Sequence, residues 1–161
     1  MKIVELSFLD LANSMSIGPI AFGKNINDIG RIIGPPQYWG FGPGARFSML
    51  GTYRDIEIHC RSTNDIVKIY YAELRLSRFT KKRAFLAKNV DIQISVVCPE
   101  SPRKLTISYL KDYFDSAGVS YLTYPTEEIS PSTTGTLRFG ENLCFYFSGE
   151  REPLLELISI S

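Results

Sequence analysis

The sequence holds a single histidine, a single tryptophan and three cysteines among 161 residues. One histidine with cysteines as far apart as Cys60, Cys98 and Cys144 does not supply a metal-ligand set, so no metal or other cofactor is expected. The odd number and the lack of CxxC spacing fit reduced thiols in a core better than a disulfide framework, because a free cysteine packs as a small hydrophobe. GxSxG, HExxH, Walker and GxGxxG contexts are absent, so no named enzyme chemistry is indicated. No apolar run reaches the ~18 residues of a membrane-spanning helix. Glu5 and Asp10 fall inside what would be the apolar centre of a signal peptide, so the expectation is a cytoplasmic protein. The net charge of +1 gives no overall field to recruit nucleic acid or an anionic membrane.

What the chain does have is an ordinary globular balance, 44% hydrophobic and 22% charged. It is long enough to bury a core without covalent staples. Its organising stretch is Arg54 to Ala72, RDIEIHCRSTNDIVKIYYA. Ile56, Ile58 and Cys60 alternate with Glu57, His59 and Arg61, which places an apolar and a polar set on opposite faces of a strand. Ser62 to Asp65 are turn formers, and Ile66–Tyr71 returns as a β-branched and aromatic strand. A lone hairpin is marginal in water, so further strands or a helix must cover its apolar side.

Around this hairpin the pattern predicts a first strand over Lys2–Leu9 and a two-turn helix over Asn25–Gly34. Asn25 supplies the N-cap, Ile26, Ile29 and Ile33 a single apolar face, and Gly34 followed by Pro35-Pro36 the stop. Pro35 to Ala45 is predicted as a rigid aromatic loop, and Arg46–Tyr53 as the strand entering the hairpin. The basic stretch 75–88 reads as a solvated connection, with phosphate contact as the alternative. Val90–Cys98 is a further alternating strand. A second helix follows, N-capped by Ser101 or by Thr106, with Ile107, Leu110, Phe114 and Ala117 as its stripe and Gly118 as its end. Val119–Tyr124, Thr136–Phe139, Leu143–Phe147 and Leu154–Ile160 read as strands, the last two joined as a hairpin.

The expected class is α+β: one domain over 1–161, mostly antiparallel sheet, with two short helices packed on one face. The order of elements also suggests two related helix-plus-hairpin halves, 1–98 and 99–161. Ile56–Tyr71 aligns with Leu143–Ser159 if one residue is added at the turn. A single continuous sheet with two helices on one side gives the same pattern.

Candidate contact residues come from the aromatic loop. Tyr38, Trp39 and Phe41, with Arg46 beside them, bring large contact area at low entropy cost. The competing reading is that Trp39 and Phe41 fold back and plug the core edge. His59 shares a face with Glu57 and Arg61, each about 7 Å away along the strand. Cys60 points to the opposite side, so no thiolate–imidazole pair forms in a regular strand. A surface histidine is the default.

Gly18-Pro19-Ile20-Ala21-Phe22-Gly23, then a short helix, then Gly34-Pro35-Pro36, then Tyr53 and the hairpin Ile56–Tyr71, resembles small bacterial immunity proteins of polymorphic toxin and contact-dependent inhibition systems. It is also similar to the helix-plus-antiparallel-sheet repeat of β-lactamase inhibitor protein and related outer-membrane assembly lipoproteins. The likeness covers roughly residues 17–72. The chain departs from the lipoproteins in lacking a lipobox cysteine near its start, which puts the cytosolic immunity reading ahead. That resemblance implies a non-enzymatic protein that binds and neutralises one cognate toxin domain. It transfers no binding residues, because immunity surfaces differ between members. The alternative is a nucleic-acid-binding accessory domain using 75–88.

Overall fold

Period-two alternation governs most of this chain, and strands dominate the result. The computed structural model describes residues 1–41, 48–64, 66–76, 82–88, 91–124 and 133–161. In chain order the elements are β1 (Lys2–Leu6), α1 (Phe8–Ser14), α2 (Ile26–Ile33), β2 (Tyr38–Phe41), β3 (Ser48–Tyr53), β4 (Ile56–Thr63), β5 (Ile66–Arg75), β6 (Arg83–Lys88), β7 (Ile92–Val97), α3 (Ile107–Ser116), β8 (Leu122–Tyr124), β9 (Thr133–Phe139), β10 (Leu143–Ser148) and β11 (Leu154–Ile160). Eight strands form one sheet, ordered β2-β3-β4-β5-β11-β10-β9-β8, antiparallel throughout. A second sheet, β1-β7-β6, contains the parallel pair β1–β7. The class is α+β with a mostly antiparallel sheet, as the alternation indicates.

Among the described residues there are three α-helices rather than two. The strand expected over Lys2–Leu9 ends at Leu6, and α1 takes over. Ser7 and Asp10 decide the switch. Ser7 Oγ accepts from the Asp10 amide at 3.2 Å and the Ser7 amide donates to Asp10 Oδ2 at 2.7 Å, a capping box that satisfies two orphan helix groups. The Ser7 hydroxyl and then the Ser7 amide, both donating to Asp10 Oδ2, hold the Asp10 carboxyl below its usual range. Phe8, Leu11 and Ala12 then bury at helical spacing.

The α2 N-cap forms as the residues predict, and the helix stops at Gly34, which is the C-cap with an extended ψ of 178° rather than a left-handed C′ residue. Asn25 accepts from the Asn27 amide at 2.9 Å, and Gly34 takes φ +84°. Ile26, Ile29 and Ile33 are buried. For α3 the cap is Thr106, whose hydroxyl accepts from the Tyr109 amide at 3.1 Å. Ser101-Pro102 opens only a short 3-10 turn, Pro102–Lys104.

Two connections prove to be strands. Tyr38–Phe41, expected within a loop, pairs with β3. Gly51 makes this pairing possible: a Cβ there would lie 2.5 Å from the Trp39 ring. Gly51→Ala is therefore expected to push the indole outward. The expected result is a red-shifted tryptophan emission and a loss of about 1 kcal/mol, at the low end for overpacking because the ring sits at a sheet edge; unchanged emission refutes it. Arg83–Lys88, expected within a solvated connection, is β6, because Ala84 and Leu86 bury against the core.

The core lies between the large sheet and the helices. Ile56, Ile58, Cys60, Leu137, Phe145 and Ile158 point inward from the sheet and are buried. Phe8 meets Phe145 edge-on at 5.2 Å, and Phe114 lies 4.6 Å from Phe139. The small sheet closes the core beside Gly18, where a Cβ would meet Leu6 at 3.0 Å and Leu86 at 3.4 Å.

The two four-stranded meanders of the large sheet correspond in detail. The N-cap residues Asn25 and Thr106 each bridge to the last strand of their own meander, at Lys68 and Leu154. Ile69 and Leu155 donate to the carbonyls of Lys24 and Leu105, the residues before those caps, at 3.0 and 2.8 Å. Each last hairpin carries a bulge at the same place, one between His59 and Cys60 and the other between Tyr146 and Phe147. At these bulges the register steps over Tyr70 in the first hairpin and over Glu156 in the second. In this correspondence the second hairpin's turn is one residue shorter than the first, not longer as the sequence alignment had it. The meanders join at β5–β11, where Glu73 and Ser159 are both equivalent residues and direct partners. A local two-fold axis therefore passes between them.

Candidate functional site

The helices lie on one side of the large sheet; its other side carries polar and aromatic side chains. Register alone places one row across all eight strands: Tyr38, Thr52, Glu57, Glu73, Ser159, Cys144, Arg138 and Leu122. At about 4.8 Å per strand this row is about 34 Å wide before twist. A second tier stands beside it, with His59 opposite Tyr71 in one half and Tyr146 opposite Leu157 in the other.

The row is deepest at its middle, where Glu73 is 5% exposed and Ser159 is fully buried. Glu57 and Glu73 face each other directly, an arrangement that is unfavourable for two like charges. Neighbours compensate. Tyr71 Oη donates to Glu73 Oε2 at 2.8 Å, and the Arg75 guanidinium pairs with Glu73 Oε1. His59 Nε2 meets Glu57 Oε1 at 3.0 Å. Burial, then the bond to Glu73, pushes the Tyr71 phenol well above its ordinary value, so it stays a donor. Tyr146 is raised for the same first reason. His59 also stands between two aromatic rings, Tyr71 at 5.2 Å and Tyr70 at 6.1 Å, and the Arg61 guanidinium lies over Tyr70 at 5.0 Å.

No family model, curated protein or solved structure matches this chain. What the side chains of this face can do therefore rests on their chemistry alone.

Of the residues singled out from the sequence, Tyr38 begins the row and is 60% exposed. Trp39 points to the other side, over Gly51, and is 41% exposed. Phe41 closes β2, and Arg46 lies outside the described residues. The sequence reading missed Tyr70, Tyr71, Tyr146 and Arg138. A period-two count assigns Tyr70 and Tyr71 to opposite faces, and only the bulge lets both rings reach His59.

The basic stretch is largely neutralised where it is described. Arg75 pairs with Glu73, Lys82 with Glu100 at 2.9 Å, and Arg83 with Glu5. Among the described residues no group of three His, Cys, Asp or Glu side chains is placed to hold a metal ion. No described helix is long and apolar enough to cross a membrane.

Proposed function

We propose that this protein is a non-enzymatic inhibitor whose open sheet face binds and neutralises a cognate bacterial toxin domain. One observation carries the reading: a row about 34 Å wide, flanked by Tyr70, Tyr71 and Tyr146 and ending in Tyr38, with Arg61 and Arg138 among them. Tyrosine and arginine are the residue types in which binding energy concentrates at protein interfaces. The face is wide enough for a standard interface, about 1,200–2,000 Å² in total. The likeness of residues 17–72 to immunity proteins points the same way. The ion pairs of Arg75, Lys82 and Arg83 leave less positive charge for a nucleic-acid backbone.

The test begins with the gene's neighbourhood. An adjacent reading frame with a toxic C-terminal domain is expressed with this protein, and the pair is tested for co-purification and for protection of cells. Tyr70→Ala is then expected to weaken the complex by about 2 kcal/mol or more, roughly thirtyfold, with the melting temperature unchanged within about 2 °C. Full affinity in Tyr70→Ala, Tyr146→Ala and Arg61→Ala alike would move the binding site off this face.

A further inference from the structure

We propose that the pocket where β3, β4 and β5 meet is a socket for a positively charged side chain, a guanidinium or an ammonium, presented by the partner protein. The proposal deepens the inhibitor reading and rests on it for the nature of the partner. The pocket has a volume of about 200 Å³ and is lined by Thr52, Arg54, Asp55, Ile56, Glu57, Glu73 and Arg75. That is far more room than one water needs. It opens at one end of the β4–β5 part of the row already described.

The opposition of two carboxylates decides the sign of the ligand. Asp55, Glu57, Glu73, Arg54 and Arg75 are the charged residues that line the pocket. Asp55 is committed to the fold: its Oδ2 accepts from the Phe85 amide at 2.6 Å and ties the β3–β4 turn to β6. Glu57 and Glu73 are the pair in direct opposition. Each carboxylate oxygen has two acceptor sites, so His59, Tyr71 and Arg75 do not exhaust them. A third cation between the two carboxylates relieves their repulsion.

The fold itself does not require these carboxylates. Under the local two-fold, Glu57 corresponds to Cys144 and Glu73 to Ser159. The other half completes the same bulged hairpin with two small neutral residues, both buried. Only the first half places acids there, lines a pocket with them and buries one to 5% exposure. Arg75 and Tyr71 account for the burial of Glu73, which faces the side of the sheet opposite the described helices.

The test uses the full chain and N-acetyl-arginine amide as probe, followed by amide chemical shifts in NMR. Saturable shifts at Thr52, Glu57 and Glu73 are expected. N-acetyl-citrulline amide, similar in shape but uncharged, is expected to give none, and Glu57→Gln to weaken the arginine probe at least tenfold. Glu57 is partly exposed, so this variant keeps the fold. Equal shifts with the citrulline compound, no saturation with the arginine compound, or full affinity in both Glu57→Gln and Glu73→Gln overturns the socket. The toxin separates the two levels. A toxin that binds wild type and both Gln variants within twofold refutes the socket and leaves the inhibitor reading standing. Saturable arginine binding with no toxin partner keeps the socket and sinks the inhibitor.

Discussion

Phe145→Ala is expected to destabilise the protein by about 3–5 kcal/mol, a large share of the roughly 5–15 kcal/mol that holds a domain together. Phe145 stands on β10 where three elements converge. Its ring meets Phe8 of α1 at 5.2 Å, Phe139 of β9 at 5.1 Å and Phe114 of α3 at 5.7 Å, and it is fully buried. The truncation removes aromatic contacts with all three and leaves a cavity that helices and sheet cannot both move to fill. Urea denaturation measures the loss, and an unfolded variant at 37 °C is within the expected range. A change below about 1 kcal/mol would mean that the aromatic cluster is not the centre of the core.

Raising the pH above 9 is expected to unfold the protein progressively, through groups the fold keeps neutral. Burial pushes the Cys60 thiol up to about 12 and the Cys98 thiol up to about 11, from an ordinary 9.0. Cys144 is raised too, and burial together with nearby Cys60 pushes Tyr53 up to about 12 from 10.0. The folded state holds these protons more tightly than the unfolded chain. Between pH 9 and the folded values the unfolded chain therefore binds fewer protons, and stability falls as pH rises. Each responding thiol contributes about 1.4 kcal/mol per pH unit within its window. The contribution is complete below pH 9 and lost through pH 11–12. Denaturant midpoints between pH 8 and 11 measure this. A flat profile would contradict it, and Cys60→Val is expected to flatten it in part.

Elements whose signals lie close together were legible. α2 keeps its cap, stripe and stop within ten residues from Asn25 to Gly34, and the β4–β5 hairpin keeps its turn between two alternating runs. α1 was not, because Leu6 and Phe8 continue the alternation of β1 while a capping box of only Ser7 and Asp10 redirects the chain. The parallel β1–β7 pair and the β5–β11 seam join residues far apart in sequence, which local periodicity does not address. The open face was half legible for a related reason. Alternation identifies Glu57, His59 and Arg61 as one set, but the bulge at Tyr70 changes which tyrosines join them. Tyr38 came from composition and proved to belong to the row, whereas Trp39, chosen on the same ground, turns to the opposite side.

The seam between the meanders also sets an order of events at the ribosome. The strands from Tyr38 to Arg75 can pair as soon as they emerge, but the partner of β5 is β11, which begins at Leu154. At about 5–20 residues per second, roughly 80 residues of further synthesis take about 4–16 s. For that time β5 is a bare edge carrying Ile69, Ala72 and Leu74, and the strand it can meet first is the β5 of another nascent chain. Slower translation beyond Arg75 lengthens the exposure, so the yield of soluble protein depends on the speed at which the second meander is made.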